Sequence, residues 1–486
     1  MKIKTEVLIV GGGATGAGIL RDLSLRGIPC LLIEKEDFVS GASGRNHGLF
    51  HSGGRYAVSD PETARECIAE NKILRIIAPH CVEETDGLFI SLPEDGLDFR
   101  DKFLQACEEE GIHTTVVARD EALELEPKLN PALLGAVKVP DGAIDPFALV
   151  LENAKDAERY GAKILLHTQI GSLILDGDKV KGAKAKDLLH GEEYSIETSF
   201  IINATGAWAN QFLKFVGIHI DMALSKGSML ITNQRLSHRV INRCRPPSDG
   251  DIIVPNHTVS ILGTTSIHSE EVENFEVTTQ EVSLLIHETS KMIPAMKEVR
   301  FIRAYGGIRP LFQSEQKRDD RAVSRGFALI DHGKRDGIKN LFTITGGKLV
   351  TYRLMAEKTS DLICQTMGHH IPCSTHLQPL PGASQPVHLK ERLKQFSVDR
   401  GATLCDCELV QRKEVEEVLQ EGKLEDFQDI LHRTRLAKGT CQGGFCVYRL
   451  FGVLHDLGLT EGDSNKLLGD FLEERWKGIR PILWGT

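Results

Sequence analysis

The chain opens on an apolar run, TEVLIV (5–10), that breaks at GGGATGAG. A short run rich in β-branched residues predicts a parallel strand buried on both faces. The pattern after the glycines predicts a helix over 14–26, and PCLLIE (29–34) a second strand, giving a βαβ opening. Helical periodicity returns at about 62–78, 99–110 and 145–162, the last with Asp145 as N-cap ahead of Pro146. KILLHTQI (163–170) predicts one strand, and alternating segments follow, separated by the turn signals LDGDKV and LHGEEY. SFIINATGAWAN (199–210) predicts a buried strand running into a glycine turn. Residues 226–331 mix short strands with one helix near 278–293, and 341–367 reads as strand, glycine turn, helix. One stretch has no regular period: SGASGRNHGLFHSGGRY (40–56), long, glycine-rich and studded with Arg, Asn, His and Tyr. A loop of that length and makeup is expected to be functional.

Composition narrows the class. With 486 residues, 41% hydrophobic and 26% charged, the chain is expected to fold into two to four domains with an ample core. A formal charge of −10 argues against nucleic acid as a partner. No cleavage-site pattern marks the N-terminus, and no apolar run approaches the ~18 residues of a membrane span. Membrane association is therefore expected only through a partner or a surface patch. Eleven cysteines, an odd count without an export signal, are expected to be reduced thiols. IPCSTHLQPLPGASQPVH (371–388), rich in Pro, Ser and His, reads as a linker. Beyond it, 405–486 reads as mostly helical, and no internal repeat is present.

Gly11, Gly13 and Gly16 spell GxGxxG between a strand and a helix, and Glu34 ends the second strand. The first glycine permits the turn, the second lets the backbone approach a pyrophosphate, and the third lets helix and strand pack closely. The helix N-terminus attracts the anion, and the carboxylate accepts from ribose hydroxyls. This fingerprint alone does not separate FAD from NAD. NATGAW (203–208) and TITGGKLVTYR (343–353) bring two more strand-to-glycine turns far downstream, which a large flavin buried lengthwise requires.

Together, GGGATGAG, GASGRNHGLFHSGGRYAV, RAYGGIRPL and ITGGKLVTYRLMAE resemble the FAD-dependent glycerol-3-phosphate dehydrogenases, within the D-amino-acid-oxidase-like flavoproteins. NRCRPPSDGDIIVP, the cysteine-bearing C-terminal segment and FLEERWKG resemble the large catalytic subunits of the anaerobic branch. The resemblance covers nearly the whole chain. Its one departure is a short, irregular stretch between about 372 and 404. It implies an α/β fold in which a Rossmann-like FAD domain (1–85, 141–222, 325–371) interleaves with an α+β substrate domain (86–140, 223–324). A linker (372–404) and a small helical domain (405–486) follow.

By motif alignment it implies FAD contacts at Ala14, Thr15 and Lys35 beside the fingerprint residues Gly11, Gly13, Gly16 and Glu34. Ser43, Arg45, Asn46 and Gly48 follow in the long loop, with Ile170 at the adenine end. Further contacts are implied at Ala204, Gly206 and Trp208, at Gly307, and at Gly346, Gly347, Leu349 and Thr351. Arg55, Tyr56, Arg309 and Lys348 match positions lining the family's phosphate and substrate region. There an arginine fork suits phosphate and lysine adds a compact charge. The reaction implied is oxidation of glycerol 3-phosphate by hydride transfer to the flavin. His51 is the candidate base because its ordinary pKa lies near neutrality, the alternative being a histidine packed under the flavin ring. Arg309 would stabilise the developing alkoxide.

Four of the eleven cysteines crowd into 42 residues as Cys405-x-Cys407 and Cys441-x4-Cys446, where even use would place about one. Four thiolates suit zinc or an iron–sulfur cluster. Most structural zinc sites use CxxC pairs, and neither pair has that spacing. The pattern resembles the 2Fe–2S domain of bacterioferritin-associated ferredoxins, with zinc and plain packing as alternatives. The other cysteines read as buried small hydrophobes, Cys244 in NRCRPP being the one to test, with an exposed turn at its flanking arginines as the alternative. The resemblance further implies a second flavin subunit, an iron–sulfur membrane-anchor subunit, and a quinone acceptor. It places this chain in the cytoplasm, on the inner face of the membrane through those partners. A peroxide-releasing oxidase or amine-oxidising enzyme of the same fold is the alternative. A third reading is a non-catalytic protein that only transfers electrons. The four cysteines and the Arg/Lys set count against the oxidase, and the substrate-side basic residues count against the non-catalytic reading.

Overall fold

The computed structural model describes residues 1–312, 326–384, 392–393, 403–420, 427–459 and 464–483. The opening strand, Lys2–Val10, lies at the centre of an eight-stranded sheet. It pairs in parallel with Cys30–Ile33 on one side and Glu193–Asn203 on the other. Lys163–Leu165 and Leu341–Gly346 extend the parallel core outward. Antiparallel strands Thr168–Asp176, Lys179–Asp187 and Phe327–Asp331 complete the sheet. Val7, Leu8, Ile9, Leu31 and Leu32 are wholly buried, as the continuous apolar runs require.

The helix Ala14–Leu25 is buried almost all round, packing on the helices Pro146–Arg159 and Tyr352–Met367. Its two inward charges are paired: Arg21 with Asp156 at 2.7 Å and Arg26 with Asp22 at 2.7 Å. These arginines also donate to the carbonyls of Gln378 and Ile371, tying the Pro/Ser-rich stretch down to this layer. Residues 385–388 of that stretch, and 385–391 and 394–402 of the departure from the family pattern, lie outside the described residues.

A second, nine-stranded sheet is built from 87–139 and 222–312. Its longest pairing runs antiparallel between Met222–Thr232 and Phe301–Phe312, with Ser225 opposite Arg309 and Gly227 opposite Gly307. The helix Thr279–Met292 carries the Thr278/Glu281 capping box.

Three local expectations change. KILLHTQI is two strands, because His167 turns the chain at φ +48 and its ring bonds Asp429 at 3.0 Å. NRCRPP is not an exposed turn, since Cys244 and Arg243 are buried and Arg243 is held by Asp95. The first cysteine pair lies on a small hairpin, Thr403–Cys405 with Val410–Gln411, and not on a helix.

Candidate active site

The parallel strands end together, and the turns that follow them line one cavity of about 1190 Å³. This exceeds the ~300–1,000 Å³ of an ordinary small-ligand site. Its place at the carboxyl ends of parallel strands is where open α/β sheets bind nucleotides.

At one end is the glycine turn. Gly11 has φ +116, and a Cβ there would lie 2.5 Å from the Ala204 carbonyl oxygen; at Gly16 it would lie 1.9 Å from the Gly11 carbonyl oxygen. Both collisions are with backbone, so only hydrogen fits. Gly13, Ala14 and Thr15 line the cavity at the helix N-terminus, where the Ala14 amide donates to Ser43 Oγ at 3.0 Å. Glu34 accepts from the Gly12 amide at 2.5 Å and the Glu36 amide at 3.0 Å. Burial raises its pKa against the pull of those amides. Lys35, Ile170, Ala204, Gly206 and Trp208 also line the cavity.

The long loop forms the next wall. Asn46 is spent on the loop itself: its amide donates to the Ser43 carbonyl at 2.7 Å, and its Oδ1 accepts the Gly48 amide at 2.8 Å. The Arg45 guanidinium lies 4.1 Å from the centre of the Phe275 ring. A Cβ at Gly307 would sit 2.2 Å from the Arg45 carbonyl oxygen, so that glycine lets the loop press against the strand Phe301–Phe312. Gly346, Gly347 and Leu349 line the cavity from the far strand.

The basic residues gather at the other end. Arg309 donates to Ser225 Oγ at 3.2 Å, to Thr264 Oγ1 and to the Thr265 carbonyl at 3.0 Å. Arg55 donates to Asp251 at 3.2 Å and the Ser248 carbonyl at 3.1 Å, and Asp251 also holds Arg245 at 2.7 Å. Lys348 Nζ stands 4.0 Å from the Tyr56 ring centre, and the His51 ring 5.4 Å from the same tyrosine. Burial, then the charges of Lys348 and Arg55 with His47, push the His51 pKa well below its ordinary value. Burial, Arg309 and Arg55 take His47 down to about 3. Both imidazoles are therefore neutral at neutral pH, and the near-neutral pKa that made His51 the candidate base is not kept in the fold. The Leu49 amide donates to His47 Nδ1 at 3.1 Å, which puts that ring's proton on Nε2.

All five residues expected on the substrate side, His51, Arg55, Tyr56, Arg309 and Lys348, line the cavity, while Gly16, Gly48 and Thr351 stand behind its wall. Gly48, at φ +71, carries the loop past Ile144. Thr351 Oγ1 accepts the Lys348 amide at 3.1 Å and holds that segment. Sequence reasoning missed His47, Gly227, Phe275 and the Arg55 partner Asp251. His47 stood within the recognised loop, four positions from His51, and Asp251 within the quoted motif NRCRPPSDGDIIVP; nothing local marked the other two.

The four C-terminal cysteines come together. The Cys446 thiol hydrogen bonds with Cys405 and Cys441, and Cys441 with Cys407. Cys407 Sγ also lies 3.2 Å from Thr440 Oγ1. Cys446 begins the helix Cys446–Asp456. The Cys446 thiol, then the Gly443 and Phe445 amides, draw Cys441 down to about 5 despite burial. Among the described residues no group of three or more His, Cys, Asp or Glu side chains is arranged to hold a metal ion. The sulfurs form a linked set, a donor chemistry that suits a thiolate-held cluster. The segment is docked by buried charges, Arg435 on Asp145 at 2.5 Å and Arg433 on Asp37 at 2.9 Å, and Glu408 within the segment holds Arg435 at 2.6 Å. Among the described residues no helix is long and apolar enough to cross a membrane.

The sequence profile of the DAO, or FAD dependent oxidoreductase, family matches residues 6–353. The chain is 44% identical, over 99% of its length and 94% of the relative's, to the A subunit of the anaerobic glycerol-3-phosphate dehydrogenase of Escherichia coli (strain K12). It is 40% identical, over its whole length and 88% of the relative's, to the A1 subunit of the Haloferax volcanii enzyme. The FAD-complexed glycerol-3-phosphate dehydrogenase structure from Bacillus halodurans shares the fold, with a TM-score of 0.66 at 22% identity, covering 98% of this chain and 96% of that one. This chain belongs to the FAD dependent oxidoreductase family and, within it, to the family of anaerobic glycerol-3-phosphate dehydrogenase A subunits.

Proposed function

We propose that the chain oxidises sn-glycerol 3-phosphate to dihydroxyacetone phosphate. The observation that carries this reading is the gathering of Arg309, Lys348 and Arg55 around two neutral histidines, in a cavity whose other end is a dinucleotide turn. A phosphate dianion satisfies the charges gathered at that end of the cavity. Asp251 holds the Arg55 guanidinium in place. His51, kept neutral, accepts the C2 hydroxyl proton, and the Arg309 charge stabilises the alkoxide as it forms. FAD, when bound, supplies the acceptor for the C2 hydride.

FAD would be held by the turn Gly11–Gly16, by Glu34 and Lys35, by the loop from Ser43 to Asn46, and by Ile170, Ala204, Gly206, Trp208 and Gly307. Gly346, Gly347 and Leu349 close the far side. The cradle fits: at Gly11, Gly16 and Gly307 a Cβ would collide with backbone that walls the cavity or lies just behind it. We assign the FAD domain to 1–85, 141–222 and 325–371, the substrate domain to 86–140 and 223–324, the linker to 372–404 and the cysteine domain to 405–486. Cys405, Cys407, Cys441 and Cys446 would hold a 2Fe–2S cluster as a one-electron exit. Electrons would leave to a second flavin subunit, then to an iron–sulfur membrane-anchor subunit, and finally to a quinone, on the cytoplasmic face of the membrane.

Anaerobic mixing of the FAD-loaded protein with glycerol 3-phosphate tests this. Bleaching of the flavin absorbance, without peroxide on re-aeration, is expected. A flavin that stays oxidised removes the substrate assignment, and stoichiometric peroxide favours an oxidase.

A further inference from the structure

The C-terminal helix, Ser464–Leu483, stands between the cysteine loop and the wall of the cavity. On one side Arg475 donates to Gln442 Oε1 at 3.0 Å and to the Ala437 carbonyl at 3.1 Å, both beside Cys441 in the cysteine segment. Its guanidinium lies 4.9 Å from the centre of the Phe471 ring. Phe471 in turn packs against Gly443, where a Cβ would lie 2.5 Å from the ring. On the other side Gly478 lies against Arg303 and Ala304 of the strand Phe301–Phe312; a Cβ there would be 2.7 Å from Arg303 Cγ. The same strand carries Gly307 and Arg309 into the cavity.

Both guanidiniums are half-buried, and neither has a carboxylate within ion-pair distance among the described residues. Arg475 has only neutral acceptors, and Arg303 Nε is buried with no hydrogen-bond partner. The nearby Glu474 is engaged by Lys477 at 2.5 Å. Charges drawn out of water are ordinarily paired, because desolvation penalises an isolated one. Arg303 opposes the Arg475 charge electrostatically, while Cys446, Cys441 and Glu474 favour it.

We propose that Arg475, with Arg303 behind it, is the counter-charge of the four-cysteine group and raises the reduction potential of the cluster those thiolates hold. This rests on the proposed 2Fe–2S site at the four cysteines. One added electron makes the thiolate-bound group one charge more negative, and a fixed cation in a poorly solvated site stabilises the reduced form more than the oxidised form. Two cations between cavity and cluster therefore favour electron flow from the former to the latter. Both are positioning residues: neither touches substrate.

The test uses the full chain, loaded with FAD and reconstituted with iron and sulfide. It is titrated anaerobically with dithionite, which supplies one electron per cluster, and the reduced cluster is followed by electron paramagnetic resonance. Arg475→Gln should lower the midpoint potential by about 59 mV or more, a tenfold shift in a one-electron equilibrium. Arg303→Gln should lower it by less, and Arg475→Lys should stay near the wild type. Potentials of both glutamine variants equal to the wild type overturn the proposal while leaving the cluster itself intact. Should Arg475→Gln fail to hold a cluster, Arg303→Gln decides, since Arg303 makes no contact with the cysteine loop. A wild-type chain that takes up no reducible cluster overturns the 2Fe–2S assignment, and the proposal with it.

Discussion

Gly227 leaves the space that Arg309 occupies: a Cβ at Gly227 would lie 2.1 Å from Arg309 Nη2. The two residues sit on adjacent antiparallel strands, and the end of the arginine side chain crosses over the glycine. Because the colliding atom is the tip of a flexible side chain, Gly227→Ala should fold and bind FAD while moving the guanidinium off its Ser225 and Thr264 acceptors. The expected result is a loss of about 10²-fold in kcat/KM for glycerol 3-phosphate, or roughly 2.7 kcal/mol of transition-state stabilisation. Steady-state kinetics beside a flavin spectrum check it; unchanged kcat/KM separates Arg309 from the reaction.

Lys348 presents a compact charge above the Tyr56 ring. Lys348→Ala should raise KM for glycerol 3-phosphate by about tenfold or more, since an interaction with the phosphate is made in ground and transition states alike. Inorganic phosphate, as an inhibitor, should weaken in parallel. An unaltered KM takes Lys348 out of the phosphate site.

Gly307 differs from Gly227 in what it would strike. Its Cβ would meet the Arg45 carbonyl oxygen at 2.2 Å, and backbone cannot swing aside. Gly307→Ala should push the loop 40–48 away from the cavity and lower FAD occupancy in the purified protein. The ratio of flavin to protein absorbance reads this directly, and full occupancy would contradict the assigned place of the loop.

The depressed histidines make stability depend on pH. His47 is near 3 in the fold and near its ordinary 6.5 when unfolded, so between these values the unfolded chain binds a proton that the native chain refuses. Stability should therefore fall as pH drops below about 6.5. Each such histidine contributes a slope of about 1.4 kcal/mol per pH unit. Thermal melts from pH 7 to 5 should show a shallower decline for His47→Asn than for the wild type; identical slopes would place the acid sensitivity elsewhere.

Arg435 joins the cysteine segment to the helix cap Asp145 and is held within the segment by Glu408. Arg435→Met leaves both buried carboxylates without their cation, and removal of one partner from such a cluster costs about 3–5 kcal/mol. Limited proteolysis should then release the segment beyond residue 403 at rates that leave the wild type intact. Equal resistance would mean that Arg433 and the apolar contacts suffice.

The βαβ opening, the Asp145 cap and the Thr278 helix were readable because each is dictated locally, by apolar period or by capping chemistry. The break at His167 was not, since a positive φ in a non-glycine residue is stabilised there by a contact with Asp429, 262 positions away. The basic residues of the cavity were readable through their motifs, whereas their partners were not. Gly227 lies on the second sheet in a stretch ordinary for a strand, and Asp251, though inside a quoted motif, is joined to Arg55 only by the fold.

The sequence by itself determined that a dinucleotide turn exists, that its chain returns to the same place in two later glycine turns, and that four thiols share one short segment. Those properties follow from short-range sterics and spacing. Only the tertiary structure decided that His47 and His51 are neutral, that Arg309 lies over Gly227, and that Arg475 faces the cysteines. Burial and the field of charges brought in from distant strands set these, and neither is a property of any stretch of chain taken alone.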